Sequence, residues 1–374
     1  MSLVRREPFR LLFPLGALLA LVGVLPWLLF GAGLSRLYLG VYHAFTMTQA
    51  FLIAVAAGFL GTMLPRRTGA APLSPWELLL LALSLAAIPA ALFVDRVALA
   101  EFFYLVAVGT LAQFALRRLR RSRQPIPPSF VLIPFALVAG VAGALLLIGA
   151  SFGARAWTIA VGRALVEEGV LLPLVMALAP MLTPIILDDQ RGPDAGDRRL
   201  RLLHVAVGVV FTGSFALQWT WPRLGLAIRG ILAALEIVVV SDLVRRPRAP
   251  GLHRRLYQLA MLLVPVGLIA AAVRPPYRVP LLHLTFIGGL SLLVFSVGAH
   301  VTFLHTGHDE LARRRPWPLA AVAVLTLAAT VVRASAERMA TSYVEMLGLA
   351  AAMWLLAAAT WAVYLGPMMI ARKR

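Results

Sequence analysis

The sequence predicts an all-α fold, a polytopic membrane bundle of about twelve transmembrane helices with both termini in the cytoplasm. Three observations carry this. Of 374 residues, 61% are hydrophobic and only 14% charged, whereas soluble domains carry about 25% charged residues. The apolar residues gather in twelve runs of roughly the 20 residues that a hydrocarbon core of about 30 Å requires. The basic residues collect at alternate ends of those runs. The formal charge of +19 and the absence of cysteine then exclude a disulfide-stapled secreted domain, thiolate-held iron–sulfur clusters and thiolate-ligated haem.

The first run, 11–32, follows Arg5, Arg6 and Arg10 as a signal peptide's apolar region would. It is too long for that and further spans follow, so it reads as a retained helix. Runs 39–64, 76–93, 97–116 and 129–150 come next. Two of them carry small residues at four-residue spacing, Ala54, Gly58 and Thr62, then Ala136, Gly140 and Ala144. Such stripes let helices approach closely in lipid. The sixth run, 159–187, is long, and its apolar part starts near Gly169, which places 159–168 at the membrane interface. Pro173, Pro180 and Pro184 should distort it and free backbone carbonyls. Runs 202–221, 224–243, 256–273, 280–304, 317–333 and 341–365 complete the set. The connections are too short for a soluble domain, so residues 1–374 read as one membrane domain.

With twelve spans, the termini and even-numbered loops share one side, and that side holds 25 of the 35 basic residues. The excess assigns it to the cytoplasm and fits the inner membrane of a bacterium. Anionic inner-leaflet lipid is a sufficient partner for the basic loops. They contain no interleaved aromatics for base stacking, so nucleic acid is not expected.

Ionisable groups inside spans point to function. His43 and His283 each lie about one turn into a span, at the same outer depth. Such a pair suits the axial ligands of haem b, or part of a copper site, with Met47 one turn after His43 as a soft ligand. His300 and His305 lie toward the inner side and are further candidate metal ligands; Gly307 suggests that the helix ends beside His305. Glu101, Glu167, Glu168 and Glu345 fall near the outer side, where a carboxylate orients a ligand or meets headgroup water. Arg229 and Glu236 share a helix face seven residues apart, too far to pair directly, so each should find a partner on another helix. His253, in a basic stretch, reads as solvated.

The stretch Tyr42-His43-Ala44-Phe45-Thr46-Met47, continued by Ala57-Gly58-Phe59-Leu60 and Thr68-Gly69-Ala70-Ala71-Pro72-Leu73-Ser74, resembles the NnrS family. So do Glu7-Pro8-Phe9-Arg10, His283 with Gly288, Leu304-His305-Thr306-Gly307 and, less strongly, Leu182-Thr183-Pro184. The resemblance covers the first 75 residues and 280–308 well. It implies a twelve-helix membrane protein associated with haem and copper, with nitric oxide metabolism, denitrification and protection against nitrosative stress. It places His43, His283 and His305 on the family's characteristic histidine positions. The family's H-x-H-E-M reads His43-Ala44-Phe45-Thr46-Met47 here, without the second His and the Glu. His300 and His308 stand where arginine is usual, so the chain resembles a divergent member.

Two functions follow as expectations. One is a haem-binding or copper-binding protein of the nitric oxide response, with an electron-transfer partner and redox chemistry near the outer face. The other is a cofactor-free secondary transporter of a small polar or ionic solute, built on Arg229, Glu236 and the distorted sixth helix. A haem–copper oxidase is not expected, because no two histidines are adjacent in the sequence.

Overall fold

The computed structural model describes residues 3–122, 124–153, 155–188 and 198–371. Among these there is no strand, and each of the twelve apolar runs forms a helix. They are α1 (Phe9–Gly31), α2 (Gly40–Thr68), α3 (Pro75–Phe93), α4 (Val97–Arg120), α5 (Pro128–Ala150), α6 (Ala156–Asp188) and α7 (Arg198–Thr220). Then come α8 (Pro222–Ala234, prolonged by Leu235–Val240), α9 (Leu252–Val273), α10 (Pro275–Thr306), α11 (Trp317–Arg338) and α12 (Tyr343–Ile370). Eleven are long and apolar enough to cross a membrane. The other, α8, has the length but carries Arg223, Arg229 and Glu236. Arg123, Arg191, Arg372, Lys373 and Arg374 of the charge count lie outside the described residues.

Four of these helices widen into π-helical turns, where each N–H reaches back five residues instead of four. The turns are Thr46–Phe51 in α2, Leu165–Gly169 in α6, Leu235–Val240 in α8 and Leu284–Ser291 in α10. The sixth run is therefore not broken at its prolines. Pro180 and Pro184 lie within continuous helix, and the irregular backbone precedes them. Residues 159–168 belong to the same helix and pack against α5. Val161, Gly162, Ala164, Leu165 and Val166 are buried, and a methyl at Gly143 of α5 would stand 2.9 Å from the Gly162 carbonyl oxygen.

The chain divides into two compact units. The first comprises Met1–Gly23, Gly40–Leu178 and Pro193–Trp219; the second comprises Val24–Leu39, Ala179–Gly192 and Thr220–Arg374.

In the first unit, the motif Glu7-Pro8-Phe9-Arg10 fastens α1 to α2. The Glu7 carboxylate accepts from Arg10 Nε at 2.6 Å and from Arg66 at 2.8 Å, while the Phe9 amide donates to Thr62 Oγ1 at 3.4 Å. Gly58 admits Phe13, whose ring would lie 3.0 Å from an added methyl, so the small-residue stripe of α2 is a packing seam. The Thr68–Ser74 motif is turn chemistry. Gly69 ends α2 in the left-handed region at φ 68°, which glycine adopts without strain. Arg118 of α4 then holds the turn, donating to the Ala71 carbonyl at 2.9 Å, the Pro72 carbonyl at 3.0 Å and Glu77 at 3.2 Å. Its guanidinium sits 3.9 Å from the centre of the Phe114 ring. Ser74 and Glu77 start α3 with a reciprocal capping box, at 3.1 and 2.7 Å. Replacing Ser74 by Ala removes one of those bonds and should cost about 1 kcal/mol, read as a lowered unfolding midpoint of the detergent-purified protein.

In the second unit, Gly31 at the end of α1 meets Gly348 of α12 backbone to backbone; a methyl on Gly31 would fall 2.3 Å from the Gly348 Cα. Trp361 of α12 donates its indole N–H to the Phe295 carbonyl at 3.0 Å. Thr183 of α6 and Tyr257 of α9 share a buried hydrogen bond of 3.0 Å. The Arg254 guanidinium bonds the Ile186 carbonyl, and Asp188 pairs with Arg245 at 3.2 Å. The Leu182-Thr183-Pro184 match is thus the place where α9 and α6 are tied. Gly307, at φ 79°, closes α10 just after Thr306, so the helix ends beside His305 as its sequence suggests.

Candidate functional site

His43 lies in the first α-helical turns of α2, immediately before the π-turn. Its Nδ1 is 3.0 Å from the Gly23 carbonyl oxygen. A carbonyl only accepts, so Nδ1 is the donor in this contact, and in a neutral ring the lone pair would then lie on Nε2. Metal-ligating imidazoles are commonly held this way, with one nitrogen tied to a carbonyl and the other presented. Gly23 serves His43 and Met47 together. A methyl on Gly23 would approach Met47 Sδ to 3.1 Å and Thr46 Cγ2 to 2.9 Å, so only glycine brings the α1 carbonyl this close. His43 and Met47 are both partly exposed.

On the α2 π-turn stand Thr46 and Gln49, Gln49 facing Glu101 on α4, where Tyr104 stands three residues further on with its hydroxyl toward Gly140 of α5. All four are completely buried. Gln49 Nε2 donates to Glu101 Oε1 at 2.8 Å. Thr46 Oγ1, Gln49 Oε1, Glu101 Oε2 and Tyr104 OH have no protein partner. On the α6 π-turn, Glu168 is buried, while Glu167 pairs with Arg163 at 3.1 Å and lies near enough for its charge to act on Glu101. The π-turns of α2 and α6 pack on each other, so Glu167 and Glu168 lie on the element next to the one that carries Gln49, the partner of Glu101. The structure adds Thr46, Gln49 and Tyr104, which the sequence did not single out. A signal for them existed. Thr46 and Gln49 are three apart, as are Glu101 and Tyr104, which puts two polar groups on one face of an otherwise apolar run.

In the second unit, His283 ends an α-helical stretch of α10 just before another π-turn. Its Nδ1 is 2.8 Å from the Val279 carbonyl oxygen one turn earlier, so the same tautomer argument directs its lone pair to Nε2. Phe286 stands edge-on, ring centres 6.3 Å apart. The Nδ1 of His300 meets Nε2 of His253 at 3.0 Å, and His253 is 1% exposed. The solvated placement of His253 is thus corrected: α9 begins at Leu252, and its first turn is packed against α10. Arg229 and Glu236 of α8 are completely buried, Glu236 within the π-turn. Glu345 lies exposed in the first turn of α12, at a helix end and not in the interior. Among the described residues, no group of three or more His, Asp or Glu side chains converges as a metal site would require.

Twelve helices, eleven of spanning length and apolarity, with Glu168 and Glu236 buried on two of the widened turns and Glu101 and Arg229 buried on the helices, define a multi-pass membrane protein with polar groups in its interior. The NnrS protein family model matches residues 3–373. The chain belongs to that family, which makes it an NnrS-like, nitric-oxide-related membrane protein. A search of the curated proteins returns no match.

Proposed function

We propose that the chain is a haem-b-holding membrane protein of nitric oxide metabolism in the bacterial inner membrane, with His43 and His283 each a candidate axial ligand. The carrying observation is the placement of both rings, whose Nδ1 atoms lie 3.0 and 2.8 Å from backbone carbonyls. That arrangement fits an imidazole ligand through Nε2. A haem needs only one or two such nitrogens, so the donor set fits it without a larger cluster. Copper would rest on fewer protein ligands than usual, His43 with Met47 being the pair that shares Gly23. When bound, haem would supply iron capable of electron exchange and of binding nitric oxide. The chain's own residues hold the imidazole orientation, and an electron-transfer partner and anionic lipid complete the expected company.

The test is an optical spectrum of the detergent-purified protein. A Soret band is expected, diminished by more than half in His43→Ala or His283→Ala, with the His300→Ala spectrum unchanged. A well-folded, colourless protein would sink the haem reading. The fully buried Arg229 and Glu236 favour a second reading, a secondary transporter of a small ionic solute. Solute uptake into vesicles by that colourless protein, lost in Glu236→Gln, would establish it instead.

A further inference from the structure

The oxygen atoms of Thr46, Gln49, Glu101 and Tyr104 form a set whose hydrogen-bonding needs can be counted. Gln49 Oε1 and Glu101 Oε2 are acceptors without a donor. The Thr46 and Tyr104 hydroxyls are donors without an acceptor. A serine or threonine hydroxyl in a membrane helix ordinarily donates to the carbonyl four residues back, as Thr48 does to Ala44 at 2.8 Å. Thr46, at the start of the π-turn, does not. Four polar atoms on wholly buried side chains cost several kcal/mol in a lipid-solvated interior unless something satisfies them. Two acceptors and two donors are the complement of a water molecule, which offers two donors and two acceptors of its own.

We propose that this cluster is an internal water and proton site, with Glu101 the group that takes and releases the proton. A protonated water transfers its proton to Glu101 Oε2, leaving neutral water and a carboxylic acid; the reverse step returns the proton to the water. Gln49 holds the other oxygen, Oε1, through its amide N–H and so fixes which oxygen exchanges. Tyr104 and Thr46 orient the water. The next proton-bearing group is Glu167, paired with Arg163, whose side chain is 41% exposed; the pair links the cluster to the protein's surface. The charged and titratable groups about Glu101 are few. Tyr104 lies on its own helix, Glu167 and Arg163 on α6, with Glu168 on the same π-turn. Residues 128–150 of α5 contain none, and α3 contains only Glu77, locked by Arg118 at the opposite end of α4. On α2, Tyr42 and His43 lie one turn before Thr46, and Arg66 and Arg67 at the far end. Nothing in this proposal requires haem.

Infrared difference spectra of the full, detergent-purified chain, taken across steps of pH in H2O and D2O, test it. A carboxylic C=O band that shifts in D2O is expected in the wild type. It should vanish in Glu101→Gln and change frequency in Tyr104→Phe, where one donor to the water is gone. An unchanged difference spectrum in Glu101→Gln overturns the proposal. If that variant does not fold, a cryo-electron density map of the wild type decides: density within hydrogen-bonding distance of Glu101 Oε2 and Tyr104 OH supports the site, and side chains closed upon each other without it refute the site.

Discussion

Gly348→Val should lower the unfolding midpoint of the purified protein by more than any single cavity-forming change, or prevent folding. A side chain added to Gly348 would meet the Gly31 Cα at 2.8 Å and its carbonyl carbon at 3.2 Å, and one added to Gly31 would meet Gly348 at 2.3 Å. These obstacles are backbone atoms, so no rotamer change relieves them and the helices have to separate. Overpacking of a core costs about 1–3 kcal/mol, occasionally more. Here the whole contact between α1 and α12 is lost as well, and in lipid that contact rests on close packing alone. Gly109→Ala is the control: nothing lies within 4 Å of its added methyl, and alanine favours the helix by about 0.5–1 kcal/mol. Equal midpoints for Gly348→Val and Gly109→Ala would show that α1 and α12 do not touch there.

Arg118→Met should be the second severe change, at about 3–5 kcal/mol, the usual cost of removing one partner from a buried pair. Arg118 and Glu77 side chains are only 10% and 13% exposed. The substitution strands the Glu77 carboxylate and two turn carbonyls, those of Ala71 and Pro72. Adding Glu77→Gln removes the stranded charge, so the double variant should recover a good part of the loss. Thermal unfolding of the single and double variants measures this; additive losses would mean that the two residues do not interact.

The helices were legible because apolar run length is a local property. All twelve runs recur within a few residues, even α8, whose three charged residues weaken its hydropathy. The family motifs were legible too, but their meaning was not. Thr68–Ser74 and Glu7–Arg10 turned out to be fastenings, which shows only when Arg118 and Arg66 arrive from elsewhere in the chain. His253 was misplaced because its neighbours Arg254 and Arg255 mark it as a loop residue, whereas Arg254 is itself buried against the Ile186 carbonyl. Gln49 and Tyr104 escaped notice because neither is charged and their interest depends on which faces of α2 and α4 meet. The π-turns left no composition signal at all, since their geometry comes from the packing that surrounds them.

Those turns have an evolutionary consequence. A π-turn is an α-helix carrying one surplus residue, and each α-helical residue advances the face by about 100°. Deleting a single codon within 46–51 would return α2 to ordinary phase. His43 would then swing by about that angle relative to everything after Leu52, with no side chain exchanged. The family can thus have acquired, or can discard, the alignment of His43 by insertion and deletion alone, a kind of change that comparing substitutions position by position would overlook.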